Sequence, residues 1–142
     1  MRYIRQTGKK DCGVAALAML CDVSYEDANR VIPWRRVGLL YGTTTRQLRE
    51  GALRLGYATE STPSNRLKVV RSSHDDPNRM WEDIPSNSLV KIGDTVRFDN
   101  MWHWVVWNKG KIYDPARGVF RPAKYNRRPY SYMRFFKREV ET

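Results

Sequence analysis

The chain has 142 residues, 41% of them hydrophobic and 29% charged, and 26 Lys plus Arg against 15 Asp plus Glu give it a formal charge of +11. Its length suits one domain over residues 1–142, and no uninterrupted apolar run approaches the ~20 residues of a membrane-spanning helix. Two cysteines are too few for a disulfide scaffold or a four-thiolate zinc site, and Met1 to Gln6 lead into charge without the apolar stretch of a secretory signal, so a soluble cytoplasmic protein is expected.

Asp11 followed by the Ala- and Leu-rich run Cys12 to Cys21 predicts a short, largely buried helix. Asp11 suits its N-cap, where a carboxylate can accept backbone N–H groups. Ser24 with Asp27 opens a second helix through about Val31, and Pro33 stops it. Thr44 with Gln47 forms a capping box for a third helix, in which Leu48, Ala52 and Leu55 share one face and Gly56 is the C-cap. Beyond Gly56 the pattern changes. Thr59 to Asn65 and Ser72 to Asn78 are polar and read as loops around a short strand at Leu67 to Val70. Ser88 to Ile92, Thr95 to Phe98, Trp102 to Trp107 and Lys111 to Tyr113 read as strands, the last two joined by the turn signal Asn108-Lys109-Gly110. Helices followed by strands imply an α+β domain, N-terminal helices packed on a C-terminal antiparallel sheet.

Three segments carry chemistry. Cys12, at the start of the first helix, sits at the positive end of its dipole, a position that stabilises a thiolate. A two-residue loop at Lys109-Gly110 places Val105 opposite Asp114 and makes His103 and Asp114 diagonal neighbours on one face, whereas a three-residue loop needs a bulge at Gly110 to restore that face. A cysteine, a histidine and a carboxylate that orients it form the thiol version of the nucleophile–base–orienter triad. Taken singly, each has a plainer role: Cys12 as a small buried hydrophobe, His103 as a core histidine among tryptophans, Asp114 as a turn residue before Pro115.

The pattern of Gln6, then Asp11-Cys12-Gly13 with Ala15, Ala16 and Met19, then His103-Trp104-Val105-Val106, then Tyr113-Asp114-Pro115-Ala116-Arg117-Gly118 resembles the bacteriocin-processing cysteine peptidases. These are papain-like enzymes that cut leader peptides after a double glycine. Gly42-Thr43-Thr44, Leu48, Ala52 and Leu55-Gly56 are also similar, and the likeness runs from about Tyr3 to Tyr125. It implies a papain-like fold and hydrolysis of a protein or peptide substrate, with no metal or organic cofactor. It also implies roles: Cys12 as nucleophile, His103 as general base and acid, Asp114 holding the His103 tautomer, and the Gln6 amide joining the Cys12 backbone N–H as oxyanion donors. Many such domains belong to ATP-binding membrane transporters. This sequence has neither transmembrane helices nor the G-x-x-x-x-G-K-[ST] phosphate loop.

Other constellations weigh less. Cys21 falls on the far side of the first helix from Cys12 and reads as core. His74-Asp75-Asp76, a conceivable metal or catalytic cluster, lies in a polar stretch that reads as surface loop. From Lys109 to Thr142 ten cations face three acids, interleaved with Phe120, Tyr125, Tyr130, Tyr132, Phe135 and Phe136. That mixture suits an acidic protein or single-stranded nucleic acid, though no nucleic-acid-binding signature accompanies it. The plainer reading is that these residues pack the last strand while their cations stay solvated. The same triad also suits a deamidase or other amide-cleaving relative. The alternative to an enzyme is a catalytically idle papain-like module binding an acidic partner or nucleic acid through this basic segment.

Overall fold

Every residue of helix α1, Cys12–Cys21, is buried, as an Ala-rich helix with no polar face requires. A computed structural model of the chain describes residues 1–8, 11–32, 43–60, 77–93, 102–125 and 127–138. Asp11 precedes α1 but does not cap it. Its carboxylate turns back instead, accepting the N–H groups of Thr7 at 2.8 Å and Gly8 at 2.7 Å and the hydroxyls of Thr7 and Tyr25. Three donors on the incoming chain and one from α2 outcompete the helix's own N–H groups for one acid.

The next two helices form as their caps dictate. In α2 (Tyr25–Val31) the Ser24 side chain accepts the Asp27 N–H, with acids in the first turn and Arg30 in the last, matching the helix dipole. In α3 (Thr45–Arg54) the Thr44–Gln47 capping box is complete, and Leu48 and Ala52 are buried. Leu55 is the C-cap and Gly56 lies one residue beyond it, at φ 86°.

Six strands make one antiparallel sheet in the order β1-β6-β2-β3-β4-β5, from β1 (Tyr57–Glu60), β2 (Ser88–Gly93), β3 (Trp102–Asn108), β4 (Lys111–Asp114), β5 (Gly118–Phe120) and β6 (Pro129–Lys137). The architecture is α+β, N-terminal helices on an antiparallel sheet. Two elements depart from the sequence expectation. Thr59 and Glu60 belong to β1, not to a loop, because an edge strand with one neighbour, β6, tolerates polar residues. Pro77–Glu82 forms a short helix, α4, where Asn78 had read as loop. Pro33, the expected strands at 67–70 and 95–98, and the His74-Asp75-Asp76 cluster lie outside the described residues.

The sheet is covered on both faces. Leu89, Trp104, Val106, Met133 and Phe135 pack with α1, while Val90, Ile92, Val105, Trp107 and Ile112 pack with Met80, Trp81 and Ile84 around α4. This strand alternation buries Trp104 and Trp107 in opposite cores. None of the described helices is long and apolar enough to cross a membrane.

The approach of α1 to the sheet depends on Gly13. A Cβ there would lie 1.8 Å from the Thr43 hydroxyl oxygen, 3.2 Å from Thr43 Cβ and 3.1 Å from Trp104 Cδ1. Turning the hydroxyl away relieves only the first contact. Gly13→Ala should therefore lower stability by about 1–2 kcal/mol, overpacking outweighing alanine's ~1 kcal/mol helix preference. Urea unfolding measures this, and an unchanged or raised midpoint would mean that Thr43 and Trp104 yield freely.

Candidate active site

The β3–β4 hairpin sets the geometry. Lys109 at φ 47° and Gly110 at φ 79° occupy the left-handed region that a two-residue turn of the primed type demands. The pairs Val106↔Tyr113, Trp107↔Ile112 and Asn108↔Lys111 are the register such a loop imposes. Val105 therefore comes opposite Asp114, and His103 and Asp114 meet diagonally: His103 Nε2 lies 2.7 Å from Asp114 Oδ1.

Asp114 is fully buried and heavily supplied with donors. On Oδ1 it also accepts the Ala116 N–H at 2.9 Å; on Oδ2 it accepts the Tyr125 hydroxyl at 2.7 Å and the Arg117 guanidinium at 3.2 Å. Its backbone carbonyl accepts the Tyr3 hydroxyl at 2.6 Å. Burial alone would raise the carboxyl's pKa. The hydrogen bond and charge of His103, with Tyr125 and Ala116, reverse this and hold it well below the usual carboxylate range.

Cys12 enters from the opposite side, on the first residue of α1. Its Sγ accepts the Trp104 N–H at 3.5 Å and lies close enough to His103 to act on its ring. With Nε2 engaged by Asp114, Nδ1 is the ring nitrogen left for the sulfur. Burial depresses the His103 pKa, but the hydrogen bonds to Asp114 and Cys12 and the charges of both outweigh it, pushing it up to about 9. Near neutral pH the ring is thus an imidazolium between a sulfur and a carboxylate. Cys21, by contrast, is buried without such partners, and burial pushes its thiol up to about 12.

Three of the four residues singled out in the sequence are brought together. The fourth, Gln6, makes its side-chain contact within its own segment. Its Nε2 donates to the Gly8 carbonyl at 2.8 Å, while Oε1 is buried without a hydrogen-bond partner among the described residues. The turn that Asp11 tightens brings that carbonyl within reach. The Gln6 backbone N–H donates to the Pro115 carbonyl at 3.0 Å, and Arg5 reaches the Ala116 carbonyl at 3.3 Å. Residues 3–8 thus strap the Asp114 turn to the start of α1.

Sequence reasoning missed Tyr3, Arg117 and Tyr125 as partners of Asp114. Tyr125 had been counted among aromatics for nucleic acid, yet it is buried against Trp81 and Phe120. It reaches Asp114 because a single 3-10 turn, Pro122–Lys124, folds the chain back, a reversal that no spacing rule announces. Among the described residues no group of three His, Cys, Asp or Glu could hold a metal ion.

No family model and no curated protein matches the sequence. Solved structures do match in three dimensions. A double glycine motif protease from an AMS/PCAT transporter, crystallised with the leader peptide, superposes with a TM-score of 0.58 at 18% identity, over 94% of this chain and 89% of that one. The peptidase domain of Streptococcus ComA, a bifunctional ABC transporter of a quorum-sensing pathway, gives 0.56 at 16% identity, over 94% of each chain. That of Streptococcus mutans ComA gives 0.54 at 18% identity, over 96% of this chain and 98% of that one. The chain has the papain-like fold of the double-glycine peptidase domains.

Proposed function

We propose that this protein, a single papain-like domain, is a cysteine peptidase that hydrolyses a peptide or related amide bond through Cys12, His103 and Asp114. One observation carries the reading: a buried imidazole, bonded to a carboxylate through Nε2, lies beside a cysteine at a helix N-terminus. This is what activation of a thiol requires.

The steps follow from the arrangement. The Cys12 sulfur attacks the scissile carbonyl carbon, and the carbonyl oxygen becomes an oxyanion. The Cys12 N–H, at the start of α1, faces that charge as a donor. His103 then gives its Nδ1 proton to the departing amine, leaving a thioester. Water, losing a proton to the same nitrogen, attacks the thioester and frees Cys12. Asp114 keeps the ring oriented and its positive form stable throughout.

Gln6 joins these donors by releasing the Gly8 carbonyl and swinging Nε2 toward the oxyanion. Gln6→Ala should then lower kcat by about 10²-fold, the usual cost of one oxyanion donor. A change below about threefold, measured by steady-state kinetics, would leave Gln6 a residue of the strap alone.

The first substrate to test is a synthetic leader peptide with a Gly-Gly end joined to a short core peptide, since a leader peptide occupies the double glycine protease structure. Mass spectrometry should find a cut with the wild-type chain and none with Cys12→Ala. Iodoacetamide near pH 7 should alkylate Cys12 at least tenfold faster than Cys21, and His103→Ala should slow labelling of Cys12 alone. Equal rates for the two thiols in the folded protein would remove the support for catalysis. The idle-module alternative is weakened because Tyr125 and Phe135, two of its aromatic platforms, are buried.

A further inference from the structure

We propose that Tyr125 is a positioning residue that sets the proton affinity of His103 through Asp114. The inference rests on the reading of Cys12, His103 and Asp114 as the reacting unit and adds to it a residue that touches none of the reacting atoms.

The Tyr125 ring is held at the sheet face by Trp81 and Phe120, whose centroids lie 5.9 Å and 5.3 Å away. Two neighbours of opposite attachment, one on α4 and one on β5, leave the hydroxyl a single direction: Asp114 Oδ2, at 2.7 Å. The two carboxylate oxygens consequently divide their work. Oδ1 faces His103 Nε2, and Oδ2 faces Tyr125 and Arg117. Arg117 is partly exposed, so solvent weakens its hold; the Tyr125 hydroxyl is fully enclosed and its bond is short. A donor on one oxygen withdraws charge from the other, and inside a dry core this transfer is large. The hydroxyl therefore limits how strongly Asp114 pulls on the His103 proton. Without that limit, His103 would hold its proton more tightly and pass it less readily to a leaving amine.

The charged groups around the pair act in known directions. Cys12 from α1 and Asp114 from β4 favour imidazolium. Arg117 and Arg127 favour ionisation of Tyr125, but burial and the Asp114 charge outweigh them and keep the phenol protonated, hence a donor. Tyr3 bonds the Asp114 backbone carbonyl, not the carboxylate.

Two substitutions of opposite sign test the proposal, read by NMR titration of the His103 imidazole, a measurement that needs no substrate. Tyr125→Phe keeps the ring and removes the donor, and should move the His103 midpoint up by roughly half a pH unit. Site-specific 3-fluorotyrosine at 125 makes a more acidic, stronger donor, and should move it down. Phe120→Leu disturbs the packing but spares the hydroxyl; it should lower the melting temperature and leave the midpoint alone. In kinetics, Tyr125→Phe should shift the alkaline limb of kcat upward with KM unchanged. A His103 midpoint that stays put or falls in Tyr125→Phe, or moves as much in Phe120→Leu, overturns the proposal. Failure of the peptidase reading looks different: Cys12→Ala would leave the His103 midpoint where it is, whatever stands at 125.

Discussion

Asp114→Ala is expected to lower folding stability by about 3–5 kcal/mol, the cost of removing one partner from a buried charged pair. The carboxylate accepts from His103, Ala116, Tyr125 and Arg117. Of these, the His103 ring and the Tyr125 hydroxyl would stay buried with nothing in place of the acid. The pH dependence should change as well. His103 titrates at about 9 in the folded protein, against ~6.5 in an unfolded chain. Its proton therefore contributes stability in full below pH ~6.5, and that contribution disappears as pH rises through about 9. Asp114, held below the ordinary carboxylate range by His103, Tyr125 and Ala116 after overcoming its burial, behaves the opposite way. Its contribution is complete above pH ~4 and is lost as pH falls toward the folded value. The pair is most stabilising between roughly pH 4 and 6.5. In Asp114→Ala the acid slope vanishes, and the His103 pKa falls because only Cys12 is left to oppose burial, so the loss between pH 6.5 and 9 shrinks too. Urea unfolding at pH 5, 7 and 9 measures the difference. Parallel curves for wild type and variant would mean that the pair is not coupled in the folded state.

The elements read correctly from the sequence are those whose signals are local. The Thr44–Gln47 box and the Asn108-Lys109-Gly110 turn each encode their own geometry within four residues. The turn even carries the site, because a two-residue loop leaves one register, and that register puts His103 beside Asp114. Where partners are distant in sequence, local signals give out. Asp11 looked like a cap because the sequence shows the acid and the helix but not that Tyr25 and the backbone of Thr7 and Gly8 would reach the carboxylate first. Thr59 and Glu60 looked like loop because their strand pairs with residues 134 and 135, at the other end of the chain. The contact between Tyr125 and Asp114 is illegible for the same reason. It exists only once a short turn and two aromatic neighbours have fixed the Tyr125 ring.

Cys12→Ala is expected to lower hydrolysis of a cleavable peptide by about 10⁵–10⁶-fold, and His103→Ala by a similar factor. The double variant should be no worse than either single one. The reason is that neither group works alone. Without His103 the sulfur lacks both its imidazolium partner and the proton for the leaving amine; without Cys12 the imidazole has nothing to activate. What survives in all three variants is substrate binding and the oxyanion donors, which involve neither side chain. Folding should separate the two residues, however. Cys12→Ala removes one sulfur from the start of α1 and should change the melting temperature little. His103→Ala strips Asp114 of the partner that most lowers its pKa and should cost about 2–4 kcal/mol, less at pH 9 than at pH 6, because the wild-type pair weakens as His103 loses its proton. Effects on turnover that multiplied in the double variant would mean that the thiol and the imidazole act in separate steps, and the single Cys12–His103 unit proposed for this site would have to be abandoned.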